Sequence, residues 1–158
     1  MDSDFADYCL NYALSKGASF AETRLEHHDS TSIESKNGVV EATEFQTYSG
    51  LGLRFIAKGG LGFVSLNEFD KTKAKRLIDS AVKLTSRQSL GKKIVLSKEK
   101  TVRAKYEVRQ KQKLADVDFS KKTEFVSELD KAISASKAKI AARFISFGDS
   151  TSTKYYAN

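Results

Sequence analysis

The chain has 158 residues, a length typical of one domain, and its 40% hydrophobic and 10% aromatic content fits a folded soluble protein. A single cysteine excludes an intramolecular disulfide and favours a reducing, cytoplasmic setting, and no apolar run approaches the roughly 20 residues of a membrane helix. The net charge of +7 is uneven, because residues 1–69 hold five basic and ten acidic side chains whereas residues 70–158 hold 22 and ten. A net positive charge is typical of proteins that bind nucleic acids. The acidic half and the basic half could equally attract each other or a partner subunit.

The first segment predicts a helix. Apolar residues recur at positions 5, 6, 9, 10, 13 and 14, which is the spacing of one helical face. Asp2 or Ser3 can cap the start, and Gly17 stands where glycine commonly follows a helix end. Cys9 lies on the apolar face, so we expect a buried packing residue and not a reactive thiol.

Residues 20–67 alternate with a period of two and predict a meander of about four antiparallel strands. Asn37-Gly38 lies between two alternating runs and predicts a type I′ hairpin turn, which needs positive φ at both positions. A second hairpin is expected at Gly59-Gly60, with or without Lys58.

The remaining elements are predicted from shorter patterns. Asp70 can cap a second helix, and a third helix around residues 125–133 has Asp118 or Ser120 near its start. Strands are predicted at 101–108 and 139–147, followed by a turn at Gly148-Asp149 and a last strand from 152. The order predicts an α+β fold, an antiparallel β-meander with helices packed on one face.

Five of the nine glycines fall between positions 50 and 62, which raises the question of a phosphate-binding loop. After Gly50-Leu-Gly52 the third glycine of a dinucleotide fingerprint is missing, and the next residues are β-branched and aromatic and do not open a helix. A Walker motif is also missing. We therefore expect Gly59 and Gly60 to turn the chain, and Gly50, Gly52 and Gly62 to lie in strands where a missing side chain allows close approach.

Several short motifs in this region keep a definite order. They are AETR (21–24), NGV (37–39), GLGLR (50–54) and GFVS (62–65) followed by Asn67. No single motif is specific, but their order and spacing across residues 17–85 resemble the N-terminal domain of the TldD/PmbA proteins, the modulators of DNA gyrase. Residues 1–158 are accordingly interpreted as a single N-terminal domain.

The resemblance implies a zinc metallopeptidase family that acts on unfolded peptides as homo- or heterodimers. In that family the zinc lies in a His-Glu-x-x-x-His helix of a C-terminal domain, which is absent from this chain. The parent protein is then either a metalloprotease or a non-catalytic paralogue. The domain is expected to form part of the substrate cleft and of the subunit contact.

Residues of this chain do not supply a metal site or a catalytic pair. His27 and His28 are adjacent on a predicted strand, so their side chains point to opposite faces and cannot readily chelate one ion. The pairs Glu22/Glu26 and Glu41/Glu44 are expected to be solvated residues of a sheet face. No nucleophile stands next to a base in a recognisable motif.

Without a metal site or a catalytic pair, the sequence favours a binding function, and its residues allow two classes of ligand. An extended peptide could add to a sheet edge, with Gly50, Gly52, Gly62 and Arg54 lining a groove or interface, although Arg54 could also be an ordinary outward-facing arginine. Phe55 and Phe63 are expected in the core. The alternative is nucleic acid, since residues 92–113 hold nine basic and two acidic side chains, but Tyr106 is the only aromatic there, so a base-stacking platform is weak.

The chain by itself is predicted to hold no stoichiometric zinc and to cleave no peptide. Elemental analysis after dialysis should find well under one zinc per chain, and an unfolded casein substrate should stay intact. A tightly bound zinc ion would contradict the assignment of the metal to another part of the protein.

Overall fold

The computed structural model of the chain describes residues 2–88, 93–97, 99 and 102–158. Four strands form one antiparallel sheet of order β3-β2-β1-β4, and with three α-helices this is the predicted α+β class. The elements are α1 (Ser3–Ser15), β1 (Ala18–Lys36), β2 (Val39–Ala57), β3 (Gly60–Leu66), α2 (Lys71–Thr85), a 3₁₀ turn (Leu114–Asp116), α3 (Phe119–Ser134) and β4 (Phe144–Ala157).

The chain divides into two compact units. Unit 1 comprises Met1–His27, Ser49–Ala104 and Thr153–Asn158, and unit 2 comprises His28–Tyr48 and Lys105–Ser152. Strands β1, β2 and β4 contribute residues to both units.

In unit 1, α1 and α2 cover one face of the sheet. Both predicted caps are present, since the backbone N–H of Phe5 donates to Asp2 (3.0 Å) and that of Lys73 donates to Asp70 (2.6 Å). Cys9 is fully buried as predicted, and burial raises the pKa of its thiol to about 11. The core contains Phe5, Ala6, Cys9, Leu10 and Ala13 of α1, Ala74, Ile78 and Val82 of α2, and Ala21, Leu25, Leu51, Leu53, Phe55, Ala57, Val64 and Leu66 of the strands.

In unit 2, a polar network fastens the β1–β2 turn to α3 and to the start of β4. Arg143 donates from two guanidinium nitrogens to the buried Asp130 carboxylate, at 2.8 and 3.0 Å, and these hydrogen bonds lower the pKa of Asp130. The backbone of Arg143 also exchanges two hydrogen bonds of 2.9 Å with Asn37, one to its side chain and one from its N–H. Charge and backbone pairing therefore hold this turn together.

Two tight turns join the first three strands. Asn37 and Gly38 have φ of 50° and 84°, and Lys58 and Gly59 have the same pair of values, which is the type I′ pattern. Gly60 is the first residue of β3 and does not lie in the second turn.

Residues 18–66 contain three strands and not the four expected. The polar run Asp29-Ser30-Thr31-Ser32 lies inside β1 and does not interrupt it. This run contains neither glycine nor proline, so no residue in it forces the backbone out of the extended conformation. β1 and β2 are therefore each 19 residues long.

Two other predictions are wrong. Residues 102–108 have no regular structure, although a strand was expected there, and Thr101 of that segment lies outside the described residues. The predicted hairpin near the C-terminus is one continuous strand, because Gly148 and Asp149 are part of β4 and residues 139–143 precede it. Gly148 does not have a positive φ, so it continues the strand and does not form a turn.

The glycine cluster lies in the sheet, as the sequence predicted. Gly50 and Gly52 belong to β2 and Gly62 to β3. Gly62 pairs across the strands with Phe55, whose ring occupies the space beside it: a Cβ at Gly62 would lie 2.2 Å from ring atom Cζ and 2.6 Å from Oγ1 of Thr85. The core therefore has no room for a side chain at this position.

Gly62→Ala should lower the free energy of unfolding by about 1–3 kcal/mol, because the fully buried Phe55 ring has to move. Urea denaturation measures the change. Gly50→Ala is the matched control, since a Cβ there would meet only the Leu66 carbonyl at 3.6 Å, an ordinary contact. Equal stabilities for the two variants would contradict the close fit.

Candidate functional site

The sheet face of unit 1 opposite α1 and α2 is partly exposed and carries charged and aromatic side chains, although Ile56 on the same face is buried. Phe63 is 63% exposed, and Leu61 and Tyr156 are also exposed. We call this surface the open face. Its residues are Glu22, Arg24 and Glu26 of β1, Gly52 and Arg54 of β2, Leu61, Phe63 and Ser65 of β3, and Lys154 and Tyr156 of β4.

Glu22 is the centre of a three-residue cluster on the open face. Its side chain is only 13% exposed, and it forms an ion pair with Arg54 through Oε1 and accepts a hydrogen bond of 2.6 Å from the Tyr156 hydroxyl through Oε2. Partial burial acts to raise the pKa of Glu22, but the hydrogen bonds from Tyr156 and Arg54 and the Arg54 charge outweigh it, so the pKa is lowered. Glu22 is therefore an ionised carboxylate with both oxygens engaged.

The same carboxylate acts on its two partners. The hydrogen bond to Glu22 raises the pKa of the Tyr156 hydroxyl and that of the Arg54 guanidinium. Three strands thus contribute one side chain each to a fixed arrangement of charge.

A second carboxylate on this face is shared by two cations. Glu26 lies 3.2 Å from a guanidinium nitrogen of Arg24 and 3.4 Å from the Lys154 ammonium. With Arg54 and Glu22, the open face then carries three cationic side chains against two carboxylates, a net charge of +1.

Phe63 was expected in the core and lies on the open face instead. Its register partner is Arg54, and its ring lies over Gly52, where a Cβ would be 3.3 Å from ring atom Cζ. Phe55, predicted for the core with it, is fully buried. The difference arises because β3 alternates, so odd positions 61, 63 and 65 are exposed while 62, 64 and 66 are buried.

The four residues predicted to line a groove do not share one face. Arg54 and Gly52 lie on the open face, whereas Gly62 is against Phe55 in the core. Gly50 is half-buried near the Leu66 carbonyl. The groove role of Arg54 and Gly52 remains a prediction that their position permits.

The described residues contain no group of three or more His, Cys, Asp or Glu side chains placed to hold a metal ion. In unit 1, a ring nitrogen of His27 is 2.7 Å from the Ser49 hydroxyl. In unit 2, the His28 ring stacks on Tyr48 with centroids 4.7 Å apart. Among the helices of the described part of the chain, none has the length and apolar character of a membrane span.

Unit 2 contains a polar cleft of about 350 Å³, formed between β1, β2 and β4. Its lining includes Asp149, whose side chain is about 10% exposed and 2.8 Å from the Lys122 ammonium. Hydroxyl groups make up much of the rest, with no aromatic residue. Binding sites for organic ligands are mostly apolar, so this cleft is a poor candidate for one.

The model of the PmbA/TldA metallopeptidase domain 1 matches residues 21–85 of the chain. The matched segment contains β2, β3, α2 and most of β1, and with them Glu22, Arg54 and Phe63 of the open face. Residues 21–85 are therefore similar to the first domain of the TldD/PmbA family. This confirms the resemblance drawn from the motif order.

Known proteins that are similar to the chain agree with that match. A metalloprotease of Methanocaldococcus jannaschii is 28% identical over 122 residues, which are 76% of this chain and 27% of that protein. A protein of Bacteroides thetaiotaomicron named as a modulator of DNA gyrase has a TM-score of 0.84 at 20% identity, over 99% of this chain and 36% of that one. TldE from Thermococcus kodakarensis has a TM-score of 0.63 at 14% identity, over 95% and 34%.

These structural matches establish the shared fold, since their identities are low. The chain spans between about a quarter and just over a third of the length of each of these relatives.

Sequence reasoning missed the central residue of the site. It treated Glu22 as a solvated carboxylate, and it assigned no role to Tyr156, which is 134 positions away along the chain. The alternation of β1 places Glu22 on the outward face correctly, but only the pairing of β4 with β1 brings the tyrosine to it.

Glu22→Gln should be less stable than the wild type at pH 7 and equally stable at acidic pH. Because the folded-state pKa of Glu22 is lowered, its contribution is complete above the unfolded value of about 4.3 and is lost as the pH falls through the folded value. Urea midpoints of both proteins from pH 7 to pH 3 measure this. A stability difference that does not shrink with acidification would contradict an ionised Glu22 in the cluster.

Proposed function

We propose that this domain forms one side of a peptide-binding cleft, and part of a subunit contact, in a cytoplasmic TldD/PmbA-type metallopeptidase or its non-catalytic paralogue. The metal is held by a part of the protein outside this chain. The observation that carries the proposal is the open face, where exposed apolar side chains of a sheet-edge strand stand next to fixed charges.

The position of β3 supports binding of an extended chain. β3 is an edge of the sheet, so its outer backbone groups have no strand partner among the described residues. A peptide that adds there gains main-chain hydrogen bonds, and alternate side chains of the peptide reach the face that carries Leu61 and Phe63. Unfolded substrates suit this mode, because the backbone groups of an unfolded chain are free to pair with an edge strand.

The exposed apolar side chains of the open face also support a subunit contact. Large exposed apolar side chains cluster on partner surfaces more than on isolated monomers. A homodimer or a heterodimer with a second TldD/PmbA-type chain could cover the part of the open face that the peptide leaves free.

The nucleic-acid alternative has less support. Basic residues of the described segment 102–113 are exposed and lie in irregular structure, with Tyr106 as the one aromatic side chain among them. A salt titration separates the two classes: phosphate binding weakens steeply between about 50 and about 200 mM salt, whereas binding through backbone hydrogen bonds and apolar contacts changes much less.

The proposal predicts that Phe63→Ser weakens peptide binding by more than about tenfold, as for a central aromatic contact. Fluorescence anisotropy of a short unstructured peptide rich in leucine and phenylalanine, titrated with the chain, gives the Kd. Leu84→Ser is the matched control, since Leu84 is 65% exposed on α2 and away from the open face, and should change the Kd less than about twofold.

Phe63 also covers Gly52, so thermal melts should accompany the titration. If Phe63→Ser unfolds, Leu61→Ser tests the same surface without a glycine contact of its own. Equal Kd values for the Leu61, Phe63 and Leu84 variants, or no binding by the wild type, would refute the proposal.

A further inference from the structure

The open face carries more positive than negative side chains, and the ion pairs indicate where the excess positive charge lies. Both oxygens of Glu22 are engaged, by Arg54 and by Tyr156. Glu26 is shared by Arg24 and Lys154. Three cations therefore share two carboxylates, and a further anion would neutralise the remaining positive charge.

Arg54 is the cation best placed to receive that anion. Its side chain is 55% exposed, yet the ion pair with the nearly buried Glu22 fixes its direction. A guanidinium has five N–H donors, and a single carboxylate oxygen of Glu22 cannot accept them all, so donors remain for a second acceptor. Little side-chain entropy is lost on binding when the fork is already held.

An aromatic residue lies directly opposite Arg54 in the strand register. Arg54 and Phe63 are register partners of β2 and β3, and both side chains lie on the open face. Directly opposed residues of antiparallel strands have their Cβ atoms about 4.5–5.5 Å apart. The register thus places a cationic and an apolar residue at opposed positions on one face of the sheet.

We propose that Arg54 binds a carboxylate of the peptide ligand while Phe63 contacts an adjacent apolar side chain. The inference rests on the proposed function and specifies its substrate class: peptides with a carboxylate next to a large apolar residue. Either a C-terminal carboxylate or an aspartate side chain supplies this chemistry, and the guanidinium fork matches both.

Three versions of one fluorescein-labelled, leucine- and phenylalanine-rich peptide test the proposal. One ends in a free carboxylate, one in an amide, and one in an amide preceded by aspartate. At low salt, the wild-type chain should bind the free carboxylate or the aspartate version about fivefold more tightly than the plain amide. The version that binds more tightly identifies the source of the carboxylate.

Arg54→Gln should abolish this preference and leave the Kd for the amide within about twofold of the wild-type value. Arg54→Lys keeps the charge but loses the fork, and should retain only part of the preference. Arg76→Gln is the matched control, because it removes the same residue type from the exposed surface of α2, away from the open face, and should preserve the preference. Thermal melts of each variant check the fold.

The outcomes separate this inference from the proposed function. Equal binding of all three peptides by the wild type, with dependence on Phe63, would overturn the carboxylate site and leave the peptide cleft standing. Equal loss in the Arg54 and Arg76 variants would also overturn it, since general attraction would then explain the preference. No binding of any peptide would refute both.

Discussion

The sheet of unit 1 depends on two reciprocal contacts between phenylalanine and glycine. On the buried face the Phe55 ring of β2 fills the space beside Gly62 of β3, and on the open face the Phe63 ring of β3 lies over Gly52 of β2. Each of the two strands contributes one phenylalanine ring and one glycine that makes room for the ring of the other strand. An aromatic ring over a strand glycine compensates for the side chain that glycine lacks, so the cluster that resembles a phosphate loop in sequence acts as a packing device.

This exchange also sets the geometry of the candidate site. Because Phe55 occupies the core, Arg54 must point to the other face, and the register then places it opposite Phe63. The ring is held over Gly52 on one side and remains exposed on the other. Core packing and the presentation of a cation beside an apolar surface are therefore consequences of one strand register.

Local patterns in the sequence predicted those parts of the fold that depend on interactions between residues close together in the chain. The capped helices α1 and α2 and the Asn37-Gly38 turn follow from side chains within a few residues of each other. The uninterrupted β1 and β4 did not follow, because tertiary pairing keeps polar residues and Gly148 extended against their own turn propensity. Arg54 could be selected from its apolar surroundings, but the Glu22–Tyr156 contact could not, since no spacing rule connects positions so far apart.

The candidate site extends beyond the segment that matches the family model. The matched segment ends at residue 85, yet Tyr156 and Lys154 reach Glu22 and Glu26 from β4. Without β4, Glu22 would lose its second partner, β1 would become an exposed edge, and Arg54 would share a carboxylate free to reorient. The last strand therefore fixes charges that β1 and β2 only bring near each other, and the orientation of Arg54 is a property of the whole sheet of unit 1.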